Sequence, residues 1–267
     1  MTSLADLMSM KGRKVLITGA AGFLGRTMAN TMAEIGAELI LVDLPGSNFE
    51  LIERQLLDCW QTTPLILECN LEIESDRKEL IASVNSLTEG FNCLINNAAF
   101  VGSADLKGWA VPFEHQSLDT WKRALEVNLT AIFHLSQAFI PILRNAKGGN
   151  IINIGSIYGE FGPDWRLYEN INMGNPAAYG ASKGGLIQFT RWLATTVAPE
   201  VRVNVVSPGG LFRDQSEEFV QKYIDRTPLG RMAKEEDFHG AIAYLASDLS
   251  RYVTGQNLRI DGGWGSW

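Results

Sequence analysis

The sequence predicts an α/β fold, a single doubly wound domain on a mainly parallel sheet of seven strands. Three observations carry this. Seven short apolar runs recur along the 267 residues, and helix-period segments separate them. No linker interrupts the alternation, so residues 1–267 read as one unit. The glycine-rich and polar residues that break the pattern follow the C-terminal ends of the runs, where open parallel sheets bind ligands.

The first run, Lys14 to Thr18, leads into Gly19-Ala20-Ala21-Gly22-Phe23-Leu24-Gly25 and a helical pattern that stops at Gly36. The second, Leu39 to Val42, ends in Asp43, 24 residues after Gly19. Strand, glycine turn, helix, strand and acid in this register are the fingerprint of a dinucleotide-binding Rossmann unit. Gly19 permits the tight turn, Gly22 lets backbone approach a pyrophosphate, and Gly25 lets helix pack on strand. Asp43 suits ribose hydroxyls and would repel a 2′-phosphate, and Leu44 follows it, so NAD is favoured over NADP. Arg26 is the one basic residue near the turn.

A helix is expected over about 49–59, a third strand at Leu65 to Leu67 ending near Cys69-Asn70, and a helix over about 75–87 N-capped by Ser75. The fourth strand, Cys93 to Ile95, ends in Asn96-Asn97-Ala98-Ala99, whose asparagines can tie strand ends together. Residues 100–116 form a long loop holding Trp109, Pro112 and Phe113. One long helix follows, about 118–145, with Asn128 in its interior, where the amide either points outward or bends the helix toward water or a ligand. The fifth strand, Asn150 to Ile154, ends at Gly155-Ser156. After an irregular stretch to Asn175, Pro176 opens a helix reaching Val197. The sixth strand, Val201 to Val206, leads to Pro208-Gly209. A mobile-looking polar region, about 211–231, a helix at 234–246 and a last strand at 256–260 complete the chain.

Tyr179 and Lys183 stand four apart on one helix face. A phenol titrates near ~10, and ionising it at neutral pH needs roughly 4 kcal/mol of help, which a nearby ammonium can supply. With Ser156 at a strand end, the pair can act as a general acid/base beside a bound ligand.

A net charge of −7 and the lack of a basic tract argue against nucleic acid as partner. Cys59, Cys69 and Cys93 lack metal-ligand or disulfide spacing, His115, His134 and His239 are equally scattered, and no metal is expected. With no signal core and no membrane-length apolar run, a soluble cytoplasmic protein is expected, with no membrane partner.

These motifs, in this order, resemble the compact single-domain branch of the short-chain dehydrogenase/reductase family over nearly the whole span from Lys14 to Trp264. The resemblance implies an NAD(P)-dependent oxidoreductase acting on a secondary alcohol or its ketone. Tyr179 would be the acid/base, Lys183 would lower its pKa and bind the nicotinamide ribose, Ser156 would bind the substrate oxygen, and Asn128 would hold a water reaching Lys183. It places the dinucleotide against Gly19, Gly22, Phe23, Leu24, Gly25, Asp43, Asn70, Leu71, Asn97, Ala98, Ala99, Tyr179, Lys183, Pro208, Gly209 and Leu211. It also implies a homodimer or homotetramer paired through outer helix faces. The chain departs from the pattern in the place of its middle glycine, in Asn70, in Arg213, and in the 23-residue separation of Ser156 and Tyr179. The added stretch, within 157–175, should lie over a small-molecule substrate, as should the loops 100–116 and 211–231. Trp165, Tyr168 and Phe161 offer ring faces, Arg166 a fork for phosphate or carboxylate, and Trp109 is a further candidate for the substrate site. With this insertion, the run from Met173 to Tyr179 is similar to oxidoreductases of bacterial flagellin modification and nonulosonic-acid synthesis, pointing to an amino-sugar or sugar-phosphate derivative and carbohydrate biosynthesis. An epimerase or dehydratase using transient oxidation, and a non-catalytic NAD-binding regulator, are the alternatives.

Overall fold

The structure, a computed structural model, describes residues 2–87, 89–102, 106–171 and 173–267, with the backbone alone of Leu87. Positions 103–105 and Asn172, within two of the expected substrate segments, lie outside the described residues.

Seven strands form one sheet: β1 (Lys14–Thr18), β2 (Glu38–Asp43), β3 (Leu65–Glu68), β4 (Cys93–Asn96), β5 (Gly149–Ile154), β6 (Val201–Pro208) and β7 (Asn257–Ile260). Their order is β3-β2-β1-β4-β5-β6-β7. Every neighbouring pair is parallel, so the sheet is wholly rather than mainly parallel.

Side chains of a strand alternate between faces, and both faces here are apolar. Val15 and Ile17 join a core with Met28 and Met32 of α2 (Phe23–Glu34), Ile52 and Leu56 of α3 (Glu50–Trp60), and Ile242 of α9 (His239–Ala246). Leu16 faces the other way. It joins a core with Leu80 and Val84 of α4 (Glu74–Leu87), Phe139 of α6 (Ala131–Asn145) and Leu193 of α7 (Ala177–Val197). The two layers of helices thus follow from consecutive residues of one strand.

Several expectations shift. A short helix α1 (Leu4–Met8) opens the chain, closed by a Ser3–Asp6 capping box. Helix α4 begins at Glu74, so Ser75 lies in its first turn and not at its cap. Pro176 is the residue before α7, with extended ψ of 138°. The expected single helix at 118–145 is interrupted: α5 (Leu118–Leu125) and α6 flank a π-helical segment, Glu126–Thr130. The stretch at 211–231 contains α8 (Glu217–Asp225), capped by Ser216 and burying Phe219 and Tyr223. These two rings, Ile157, Leu167, Met232 and Trp264 make a third, smaller core beneath the insertion.

Candidate active site

The strand order reverses between β1 and β4, the switch point at which such sheets bind dinucleotides. A cleft of about 840 Å³ opens there, lined by the glycine turn, Asp43, Asn70, Leu71 and Asn97 to Ala99. Gly19 has φ of +66°, and a Cβ on it would come within 2.8 Å of Ala98 Cα. A Cβ on Gly25 would sit 2.0 Å from the Gly19 carbonyl oxygen. Both positions therefore require glycine. Gly22 is the N-cap of α2 and provides no side-chain cap, leaving first-turn N–H groups free to meet an anion. These residues fit a dinucleotide cofactor.

Asp43 accepts from the Ala21 N–H at 2.8 Å, the Leu44 N–H at 2.8 Å and the Ser47 hydroxyl at 3.3 Å. Three of its roughly four acceptor directions are thus filled by the protein, fixing the carboxylate but leaving little capacity for a ribose. Asn97 ties the strand ends together: its amide nitrogen donates to the Thr18 and Gly19 carbonyls, each at 2.9 Å. Thr18, which sequence reasoning passed over, holds the same turn by accepting from the Asn97 and Ala98 N–H groups at 3.1 Å. A hydroxyl at a strand end was the available signal. Phe23 is exposed at the rim, with Arg26 5.2 Å and Arg213 4.5 Å from its ring centre.

Pro208, Gly209 and Leu211 do not line this cleft. The Gly210 N–H donates to the Tyr223 hydroxyl, and Leu211 bridges to Ala233, which draws the segment toward α8. Gly209 instead borders a separate cavity of about 150 Å³ with Tyr223 and Asp261.

At the end of β5, Ser156 is buried and accepts from the Tyr158 N–H at 3.2 Å. Its hydroxyl faces the Tyr179 phenol and favours the ionised form of that ring. Lys183 is almost fully buried, its Nζ donates to the Ile154 carbonyl at 2.7 Å, and it lies 5.8 Å from the Tyr179 ring centre. Burial lowers the Lys183 pKa to about 8. Burial raises that of Tyr179, and the Ser156 hydroxyl opposes the rise. Tyr179 is therefore a protonated donor in this structure.

Asn128 lies in the π-helical segment and points inward. Its Oδ1 accepts from the Phe100 N–H at 2.6 Å, and its Nδ2 donates to the Phe100 carbonyl and the Ser182 hydroxyl, each at 3.1 Å. Through these bonds Asn128 anchors the turn after β4 to α7.

A second cavity, of about 690 Å³, begins beside Tyr179 at Gly180. The insertion walls it with Phe161, Trp165 and Tyr168, and the loop after β4 with Val111 and Phe113. Two expected substrate residues do not serve it. Trp109 is buried, donates through Nε1 to the Val101 carbonyl at 2.8 Å and packs edge-on against Phe100. Arg166 forks onto Asp164, Nε and Nη2 each at 2.8 Å, and does not line the cavity. Among the described residues no group of three or more His, Cys, Asp or Glu could hold a metal ion, and no helix is long and apolar enough to cross a membrane.

Fold and site together define a nucleotide-dependent oxidoreductase. A family model described as enoyl-(acyl carrier protein) reductase matches residues 19–265. The 3-oxoacyl-[acyl-carrier-protein] reductase FabG of Aquifex aeolicus is 30% identical over 259 residues, 95% of this chain and 98% of that protein. The post-translational flagellin modification protein A of Campylobacter coli is 27% identical over 261 residues, 96% of this chain and 99% of that protein. A short-chain dehydrogenase from Leptospira borgpetersenii, solved with bound NAD+, superposes with a TM-score of 0.83 at 33% identity, covering 99% of this chain and 96% of that one. The chain belongs to the short-chain dehydrogenase/reductase family and is an oxidoreductase of CH–OH or C=O groups.

Proposed function

We propose that this enzyme uses NAD(H) in preference to NADP(H) to interconvert a ring-bearing secondary alcohol and its ketone, with an amino-sugar derivative as the leading candidate. One observation carries the reading: buried Lys183 sits beneath the Tyr179 ring on α7, with Ser156 at the end of β5, and the next residue of α7, Gly180, walls the aromatic cavity. A bound nicotinamide would supply or accept the hydride. The chain's own part is the proton. In reduction Tyr179 gives its phenolic proton to the substrate oxygen while Ser156 donates to the same oxygen, and in oxidation Tyr179 takes the proton back. Lys183 holds positive charge beneath the ring and favours the phenolate left behind. Asn128 acts by positioning, through Ser182 and Phe100. The NAD preference rests on Asp43, whose charge opposes a 2′-phosphate. Arg26 is turned instead to the Ala21 carbonyl and Arg213 to Glu235.

A homo-oligomer is part of the same reading. Phe133 and Trp192 are 45% and 56% exposed on the outer faces of α6 and α7, and Phe189 joins them into one aromatic patch.

The test is ketone-dependent NADH oxidation. Tyr179→Phe is expected to lower kcat by about 10²- to 10⁴-fold with NADH affinity retained. Wild-type activity is expected to be higher with NADH than with NADPH. Full activity in the variant would remove Tyr179 from the role, and equal use of NADPH would remove the preference.

A further inference from the structure

The insertion that separates Ser156 from Tyr179 builds a wall, and the hydrogen bonds on that wall bear on substrate class. Tyr158 and Tyr168 place their hydroxyls 2.8 Å apart, and Asn175 Nδ2 donates to the Tyr168 hydroxyl at 3.4 Å. All three residues line the second cavity. Tyr158 is largely enclosed, and burial pushes its pKa well up, so its proton stays in place. Either phenol could donate in this pair, and we assign the donor role to Tyr158, whose enclosed O–H needs an acceptor. Tyr168 then accepts from both Tyr158 and Asn175, which uses both lone pairs of its oxygen. Its own O–H is left to point into the cavity.

Charge on the same wall is one-sided. Among the described lining residues the only charged side chain is Glu169. The nearby cations are committed elsewhere. Arg166 and Arg226 both bind Asp164, which holds its carboxyl far below the usual carboxylate range. Lys222 donates to the Glu169 backbone carbonyl and pairs with Glu218. A phosphate or carboxylate entering this cavity would lose water without meeting a free cation. A neutral ring would lie against the faces of Trp165 and Tyr168 and meet an oriented O–H.

We propose that the cavity beyond the reaction centre selects an uncharged cyclic substrate carrying a hydrogen-bond acceptor such as a hydroxyl or amide oxygen, which receives the Tyr168 O–H, and that it rejects the carboxylate- or phosphate-bearing counterpart. Tyr168 is then a specificity-determining residue, oriented by Tyr158 and Asn175. The inference rests on the oxidoreductase reading above. It excludes the sugar-phosphate side of the sequence expectation.

The experiment uses the full chain saturated with NADH and three probes: cyclohexanone, a hydroxycyclohexanone and the matching oxocyclohexanecarboxylate. Binding and NADH oxidation are measured for each. The hydroxy ketone is expected to bind at least about tenfold more tightly than the carboxylate. Tyr168→Phe is expected to remove the advantage of the hydroxy ketone over cyclohexanone. Asp164→Asn, which releases Arg166 and Arg226, is expected to improve binding of the carboxylate. A wild-type protein that binds the carboxylate as tightly as the hydroxy ketone overturns the proposal, as does a Tyr168→Phe variant that keeps the hydroxyl preference. If no ketone is reduced yet the binding preference holds, the oxidoreductase reading fails and the wall's selectivity stands.

Discussion

Lys183 carries an ammonium into the core with the Ile154 carbonyl as its recorded hydrogen-bond acceptor. Its folded pKa, about 8, lies below the ordinary 10.5. Between those values the unfolded chain binds more protons than the folded one, so this residue makes stability rise with pH across that window. Below about pH 8 its cost to the fold is constant. Cys69 and Cys93 act oppositely, since burial raises both thiols to about 12 and their contribution is lost as pH climbs above 9.0. The difference between wild type and Lys183→Met isolates the lysine. In urea titrations of the ligand-free protein, that difference is expected to change steadily from pH 8 to 10.5 in favour of wild type and to be flat below pH 8. A pH-independent difference would place Lys183 in a less costly environment. The shared helix face of Tyr179 and Lys183 and the strand-end place of Ser156 were legible in the sequence, because helical spacing and the end of an apolar run have a direct structural meaning. Arg166 was misread although the signal stood two residues away: Asp164 caps the turn and takes the guanidinium. Trp109 could not be read from its neighbours, because its burial depends on Phe100 and Val101 folding back over it.

At the scale of elements, the glycine turn and α2 act as one piece. A methyl group on Gly25 would meet backbone rather than a movable side chain, so the turn must open to admit it. Gly25→Ala is expected to weaken NADH binding at least tenfold and to cost about 1–3 kcal/mol of stability. Fluorescence titration with NADH and urea denaturation check the two. Strand positions were legible because a parallel sheet covered on both faces leaves near-continuous apolar runs. The break between α5 and α6 was not, although Asn128 marked the place. Periodicity shows which face is apolar, but a one-residue change of hydrogen-bond register within a helix leaves that pattern almost intact. Helix α8 was hidden for another reason. Its charged first turn reads as loop, and Phe219 and Tyr223 find their partners on the insertion and in Trp264 near the chain's end.

For the whole molecule, the outer patch of Phe133, Phe189 and Trp192 sets the expected assembly. Trp192→Glu puts a charge into this patch and is expected to shift the mass seen by light scattering toward the monomer, with the circular dichroism spectrum unchanged. An unaltered mass would move the interface elsewhere. The wall of the aromatic cavity stands on the small third core, whereas the cleft at the glycine turn stands on the two large cores that grip the sheet. A smaller apolar cluster opens at lower free-energy cost than the sheet beside it. As urea is raised, turnover of ring ketones is therefore expected to fade first, while NADH fluorescence enhancement and the far-ultraviolet signal persist. Between the two transitions the protein would hold its coenzyme with no shaped place for the substrate, so the enzyme would lose its choosiness before its fold.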